Sequence, residues 1–244
     1  MIDKNSAIPL YSQVAREVRK DIFSGKYKNG ASLGTQSEIA KRYDVSLITV
    51  RKSLQILEKE GLVDIQQGKG TFVRRDTLVD TLENLTGISN IMSHYEIATE
   101  ILVPELEPIA APSWLPEDVK RELGERCLYI CRVVIVGDRP RAVVEMYLPQ
   151  RYIDSFSVEE VKKATVYSIY QNKLGVELGK GRQVISADAA RGKVARWLRV
   201  PEGDPILLIR RKAYDAKGDL IEYMHLSYAK GAYSFEVELQ LSKG

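Results

Sequence analysis

Apolar residues recur along this chain at two spacings, and the change from one to the other divides it. From Leu10 the apolar positions Leu10, Val14, Val18 and Ile22 return every four residues until Gly25, which predicts a helix with one packed face and with Arg16, Arg19 and Lys20 off that stripe. Residues 30–34 read as a loop. Thr35 and Glu38 then have the spacing of a capping box, so a second helix starts there, with Ile39, Ala40 and Tyr43 turned inward. Asp44 and Val45 make a turn, and Ser46 suits the N-cap of a third helix. On that helix Val50, Leu54 and Leu57 fall within about 60° of one another, while Ile48, Lys52 and Gln55 point the opposite way and Arg51 flanks the stripe. Gly61 ends it. Residues 62–66 and 71–73 read as two short strands about a turn at Gln67, Gly68, Lys69 and Gly70, the wing of a winged helix.

Residues 74–83 are polar and read as a linker, giving expected domains at 1–75 and 85–244 with the linker at 76–84. Beyond it strands dominate. Residues 128–136 and 141–148 predict a hairpin about Gly137 and Asp138, and 206–214 with 220–228 predict another about residues 216–219. Helices are expected over 158–173 and 192–198, the second stopped before Pro201. Both hairpins carry arginine on the first strand and glutamate within an apolar run on the second, as two related units of one curved antiparallel sheet would. The expected class is therefore α+β.

Composition narrows the functions open to such a chain. With 244 residues, 44% of them hydrophobic, it can bury a substantial core in one or two domains. No apolar run approaches the roughly 18 residues of a membrane span, and the N-terminus has no basic stretch followed by an apolar one, so a cytoplasmic protein is expected. Cys127 and Cys131 lie on one side of an expected strand and read as small buried hydrophobes. The net charge of +3 conceals an asymmetry: residues 1–75 hold 14 Lys and Arg against 8 Asp and Glu, and the remainder is net negative. The basic part is where a polyanion should bind. A helix with one packed face and outward Thr49, Arg51 and Lys52 suits a major groove, and Lys69 between Gly68 and Gly70 suits close approach to a minor groove.

The runs PLYSQVAREVRKDIFSGKYKNG, SEIAKRYDVS, TVRKSL, LEKEGLV and GKGTFV occur in an order and spacing that resembles the N-terminal domain of the GntR family of bacterial transcription regulators, over nearly all of residues 8–74. The resemblance implies a winged helix-turn-helix whose third helix enters the major groove of palindromic operator DNA, usually as a homodimer. Two positions depart from it. Leu33-Gly34-Thr35-Gln36 stands where members usually have Leu-Pro-Ser-Glu, and Val45-Ser46-Leu47 where they have Val-Ser-Arg. Gln36 lacks the usual charge, and Leu47 replaces an arginine contact with a side chain suited to a thymine methyl.

Further on, VPEGDPILLIRRKAYDAKGDLIEYMHLSY resembles the C-terminal half of the UTRA effector-binding domain, which places the chain near the HutC subgroup. That resemblance implies a chorismate lyase-like antiparallel sheet with helices that binds a small polar metabolite (sugar, sugar derivative, amino acid or organic acid) and dimerises. It also implies, by position, a pocket lined by Ser89, Arg132, Glu145, Thr165, Tyr167, Glu222 and Tyr228. An arginine fork and hydroxyls suit a carboxylate or phosphate, and carboxylates suit sugar hydroxyls or an amine. Sugar-phosphate-binding members carry a second arginine two residues after the first; here it is Val134, which argues against a tightly held phosphate.

The expectation is a ligand-responsive repressor without metal or cofactor. A DNA-binding protein whose pocket serves only dimerisation is the alternative, and a lyase-like enzyme a more distant one. His94 and His225 are isolated from any triad or metal-ligand spacing, which argues against the enzyme.

Overall fold

The computed structural model describes residues 2–74, 77–80, 92, 97 and 99–237. The chain forms two compact units: residues 1–99 with 136–139 and 231–244, and residues 100–135 with 140–230.

In the first unit, α1 (Leu10–Phe23) packs on α3 (Leu47–Lys59), with α2 (Gln36–Tyr43) between them in sequence. The buried face of α1 is wider than its apolar stripe, because it includes Gln13 and Arg19. Arg19 was expected to face outward. Instead its guanidinium forks onto Glu60 at the C-terminal cap of α3, with Nε 2.8 Å and Nη2 2.6 Å from the two carboxylate oxygens. Gln13 secures the chain before α1 by donating to the carbonyls of Asp3 and Ile8 and accepting the Asp3 amide.

The wing is the antiparallel pair β2 (Val63–Gln66) and β3 (Gly70–Val73), extended by β1 (Ser32–Gly34) into a sheet of order β1-β3-β2. The stretch 30–34, read as a loop, thus contains a short strand. Gly70 has φ 121°, and a Cβ there would lie 3.2 Å from the Gly34 carbonyl oxygen, so the wing closes on β1 only with glycine at that position. Within the stretch read as a linker, β4 (Leu78–Asp80) runs parallel to β11 (Tyr233–Phe235) from near the other end of the chain. Thr77 Oγ1 donates to the Gly231 carbonyl beside this pair.

The second unit is built on six strands: β5 (Thr99–Ala110), β6 (Arg126–Val136), β7 (Arg139–Pro149), β8 (Leu178–Ala189), β9 (Pro205–Asp215) and β10 (Leu220–Ala229), in the order β5-β6-β7-β10-β9-β8. The two hairpins expected from the sequence supply the four central strands. Antiparallel pairing joins β10 to β7 and β9, and β9 to β8. One face packs under α4 (Glu117–Leu123) and α7 (Gly192–Leu198), through Val119, Leu123, Ala195 and Leu198. Against them lie Cys127, Tyr129, Cys131, Val133 and Ile135 of β6, Val143 and Tyr147 of β7, and Tyr223 of β10. Both cysteines are buried free thiols whose acidity burial suppresses, the Cys127 pKa rising to about 11 and that of Cys131 to about 12.

The opposite face receives α6 (Val166–Asn172), which follows α5 (Val158–Lys163). A single helix was expected over 158–173. Ala164 is extended (φ −128°, ψ 159°), and Thr165 then caps a new helix by accepting the Ser168 amide, so the segment turns twice. Tyr170 of α6, fully buried, donates to the Ile221 carbonyl and fixes this helix on the sheet.

Candidate functional site

The surface expected to face DNA is assembled from short-range chemistry. Thr35 Oγ1 accepts the Glu38 amide, while Glu38 Oε2 accepts the Thr35 amide and hydroxyl, and these last two bonds hold the Glu38 carboxyl below its ordinary pKa. Asp44 caps the end of α2 in the left-handed region (φ 52°) and ion-pairs with Lys4, 2.6 Å away. Ser46 Oγ then accepts the Thr49 amide and opens α3. Val50, Ser53, Leu54 and Leu57 of α3 are buried, which leaves Leu47, Ile48, Arg51, Lys52 and Gln55 exposed. The Lys52 ammonium lies 3.8 Å from the centroid of the Tyr11 ring, so α1 orients it. Gln36 is half-buried in the first turn of α2, and Lys69 stands exposed at the wing tip between Gly68 and Gly70, both at positive φ.

In the second unit the site residues sort by strand parity. Side chains alternate across a sheet, so Arg132, between Cys131 and Val133 of the helix-covered cluster, faces the other way. Glu222 and Tyr228 alternate with Tyr223 in the same manner and share Arg132's face. Glu145 does not. It pairs in register with His225, accepts the Tyr129 hydroxyl at 2.8 Å and lies on the side of Tyr147 and Tyr223. The expected grouping of Glu145 with Arg132 is therefore corrected: the neighbouring β7 residue that shares Arg132's face is Val144, opposite Leu226, because a one-residue offset reverses the face. Ser89 lies outside the described residues.

The face that Arg132 shares carries a buried polar network. Glu222 is fully buried; its Oε1 accepts the Tyr167 hydroxyl of α6, and its Oε2 has no hydrogen-bond partner. Burial raises its pKa to about 7, opposed by the Tyr167 bond and the nearby Arg211 charge. Arg211, opposite Met224 on β9, was not anticipated as a site residue. It donates through Nε and Nη2 to Gln183 Oε1 on β8, at 3.2 and 2.9 Å. Burial opposes its charge, but Tyr167, Glu222 and Tyr228 more than offset this and hold its pKa above the ordinary value. The sequence signal was available: Arg211 follows Arg210 in the second hairpin, and its alternation with that hairpin's core residues assigns it a face.

Arg132 stands in different surroundings. It is 8% exposed, its Nε has no hydrogen-bond partner, and burial alone lowers its pKa to about 10. Among the described residues no charged group answers this guanidinium, an arrangement whose chemistry suits an anion. Thr165 is half-buried at the start of α6 and uses its oxygen to cap that helix, at 3.1 Å from the Ser168 nitrogen.

Residues 10–73 match the profile of the bacterial regulatory proteins, gntR family, and residues 93–234 match the UTRA domain. A probable fructoselysine utilization operon transcriptional repressor of Escherichia coli O157:H7 is 27% identical over 213 residues, covering 87% of each chain. The HTH-type transcriptional repressor NagR of Bacillus subtilis is 25% identical over 234 residues, covering 96% of each. The mannosyl-D-glycerate transport/metabolism system repressor MngR of Escherichia coli K12 is 25% identical over 234 residues, covering 95% of this chain and 96% of that one. In fold, PhnF from Mycobacterium smegmatis matches with a TM-score of 0.62 at 19% identity, over 94% of this chain and 100% of that one. With a UTRA domain across more than half its length, behind a winged helix of the matching kind, the chain belongs to the gntR family of bacterial regulatory proteins and is a DNA-binding transcriptional regulator responsive to a small effector, not an enzyme.

Proposed function

We propose that this regulator is a repressor, acting as a homodimer in the cytoplasm, whose effector is a sugar-derived compound bearing one acidic group. The observation that carries this reading is Arg132, a buried guanidinium with no answering charge among the described residues. One cation of this kind balances one anionic group. Arg211 is already engaged with Gln183 and supported by Glu222 and Tyr167, so it positions the polar network. Glu222 Oε2, the Tyr167 and Tyr228 hydroxyls and Thr165 suit sugar hydroxyls on the same face. The names of two relatives agree, since fructoselysine and mannosyl-D-glycerate each join a sugar to a part carrying a carboxyl group. Among the described residues no helix is long and apolar enough to cross a membrane. DNA contacts are assigned to Gln36, Ser46, Leu47, Thr49, Arg51, Lys52, Gly68, Lys69 and Gly70.

The test is a thermal-shift panel of sugar acids, sugar–amino acid conjugates, sugar phosphates and neutral sugars on the wild type and on Arg132→Ala. A carboxylate-bearing compound should raise the melting temperature by several degrees, as ligand binding at saturating concentration does. Arg132→Ala should lose that response while melting normally without ligand. Equal stabilisation of both proteins by neutral sugars would overturn the reading.

A further inference from the structure

We infer that Leu47 and Ile48 form an apolar reading head that recognises thymine methyl groups in the operator. They are the first two residues of α3, directly after the Ser46 cap, so no preceding helical turn covers them. Leu47 is 48% exposed and Ile48 79%, the highest value among the exposed large hydrophobic residues of the described chain. At roughly 100° per residue, Ile48 points about 180° from Leu57 and within about 40° of Lys52 and Gln55, while Leu47 stands at the edge of the packed stripe, between the buried Leu54 and the exposed Arg51.

An apolar pair at the tip of a helix, with cations one turn behind it, matches one kind of surface. In the major groove only thymine offers an apolar group, its C5-methyl; cytosine has a hydrogen there, and the purines present only donors and acceptors. Arg51 and Lys52 are exposed one turn behind the pair, Lys52 over the Tyr11 ring, within a region of 14 basic against 8 acidic residues, cations of the kind that meet phosphates. Buried against a methyl group, each side chain loses the cost of exposure that it bears in free protein. An arginine at position 47 would favour guanine, so Leu47 and Ile48 set the operator apart in sequence. They leave untouched the non-specific affinity that the cations supply.

The experiment begins with selection of tight-binding duplexes from a random-sequence DNA library by the full-length chain. Each thymine of the selected half-site is then replaced by deoxyuridine, which removes only the methyl group, and binding is followed by fluorescence anisotropy. For the wild type, one or two positions per half-site should lose roughly three- to tenfold in affinity, the worth of one buried methyl. Leu47→Ala and Ile48→Ala should each become indifferent to deoxyuridine at one of those positions, with melting temperatures unchanged. Full tolerance of deoxyuridine by the wild type would overturn the inference. So would equal sensitivity in the alanine variants, or a change in their oligomeric state marking the patch as a protein interface.

Discussion

At the scale of single residues, the energetics concentrate in groups held where water would ordinarily stabilise their charge. Glu222 is the clearest case. Its folded-state pKa, about 7, lies above the ordinary 4.5, so the folded protein holds this proton more tightly than the unfolded chain does. The stability contributed is complete below about pH 4.5 and is lost as pH rises through 7, by on the order of 3 kcal/mol in total. Glu222→Gln keeps an acceptor for Tyr167 and removes the titration. Urea midpoints at pH 5 and pH 8 should therefore fall much less between the two conditions in the variant than in the wild type; equal falls would mean that Glu222 ionises freely. Residue identity was largely legible in the sequence, and residue facing was not. Tyr167 and Glu222, expected together from motif position, are joined by a hydrogen bond, whereas Glu145 and Arg132, also expected together, lie on opposite faces of the sheet. A one-residue shift along a strand reverses the face and leaves no local mark in the sequence. Arg19 was misjudged for a related reason: a four-residue apolar period marks the centre of a buried stripe but not its edges, where a long side chain reaches a partner 41 positions away.

At the scale of elements, the parts fixed by local chemistry were the legible ones. The Thr35–Glu38 box and the Ser46 cap place the starts of α2 and α3, and both depend on residues within three positions of one another. The break between α5 and α6 was equally local, marked by Thr165, but the lysine-rich run around it looked continuously helical. Edge strands were hidden. β8 reads LGKGRQVISADA, mostly polar and exposed, and β1 has three residues; each takes its form from the neighbour it pairs with. The clamp between α1 and α3 was invisible for the same non-local reason, yet it holds the helix that reads DNA. Glu60→Ala leaves Arg19 buried without its partner and should destabilise the winged-helix unit by about 3 kcal/mol, with loss of operator binding at temperatures the wild type tolerates. An unchanged melting curve would show that Arg19 finds another acceptor at no cost.

At the scale of the molecule, regulation reduces to a coupling free energy between two ligands on one chain, and that coupling is reciprocal. If the effector weakens operator binding by some factor, saturating operator must weaken effector binding by the same factor. Calorimetric titration of effector into free and operator-bound protein measures one arm, and anisotropy with and without effector the other. Unequal factors would show that the two ligands do not share one equilibrium. The fold class was readable from the chain because the helical and strand periodicities fall in separate stretches. The parallel pairing of β4 with β11 was not, since nothing in three residues announces a partner so distant. That pairing bears on how the protein is made. The Thr77 hydroxyl and the Gly231 carbonyl beside it are 154 positions apart, and a ribosome covers that distance in roughly 10–30 s. The winged helix, complete by Val73, emerges long before β11 does. Throughout that interval β4 has no partner strand, and a message cut short before Tyr233 yields chains that keep the open edge permanently. Such fragments would bear the DNA-reading domain and an adhesive strand together, which makes them candidates for aggregation and proteolytic clearance during synthesis.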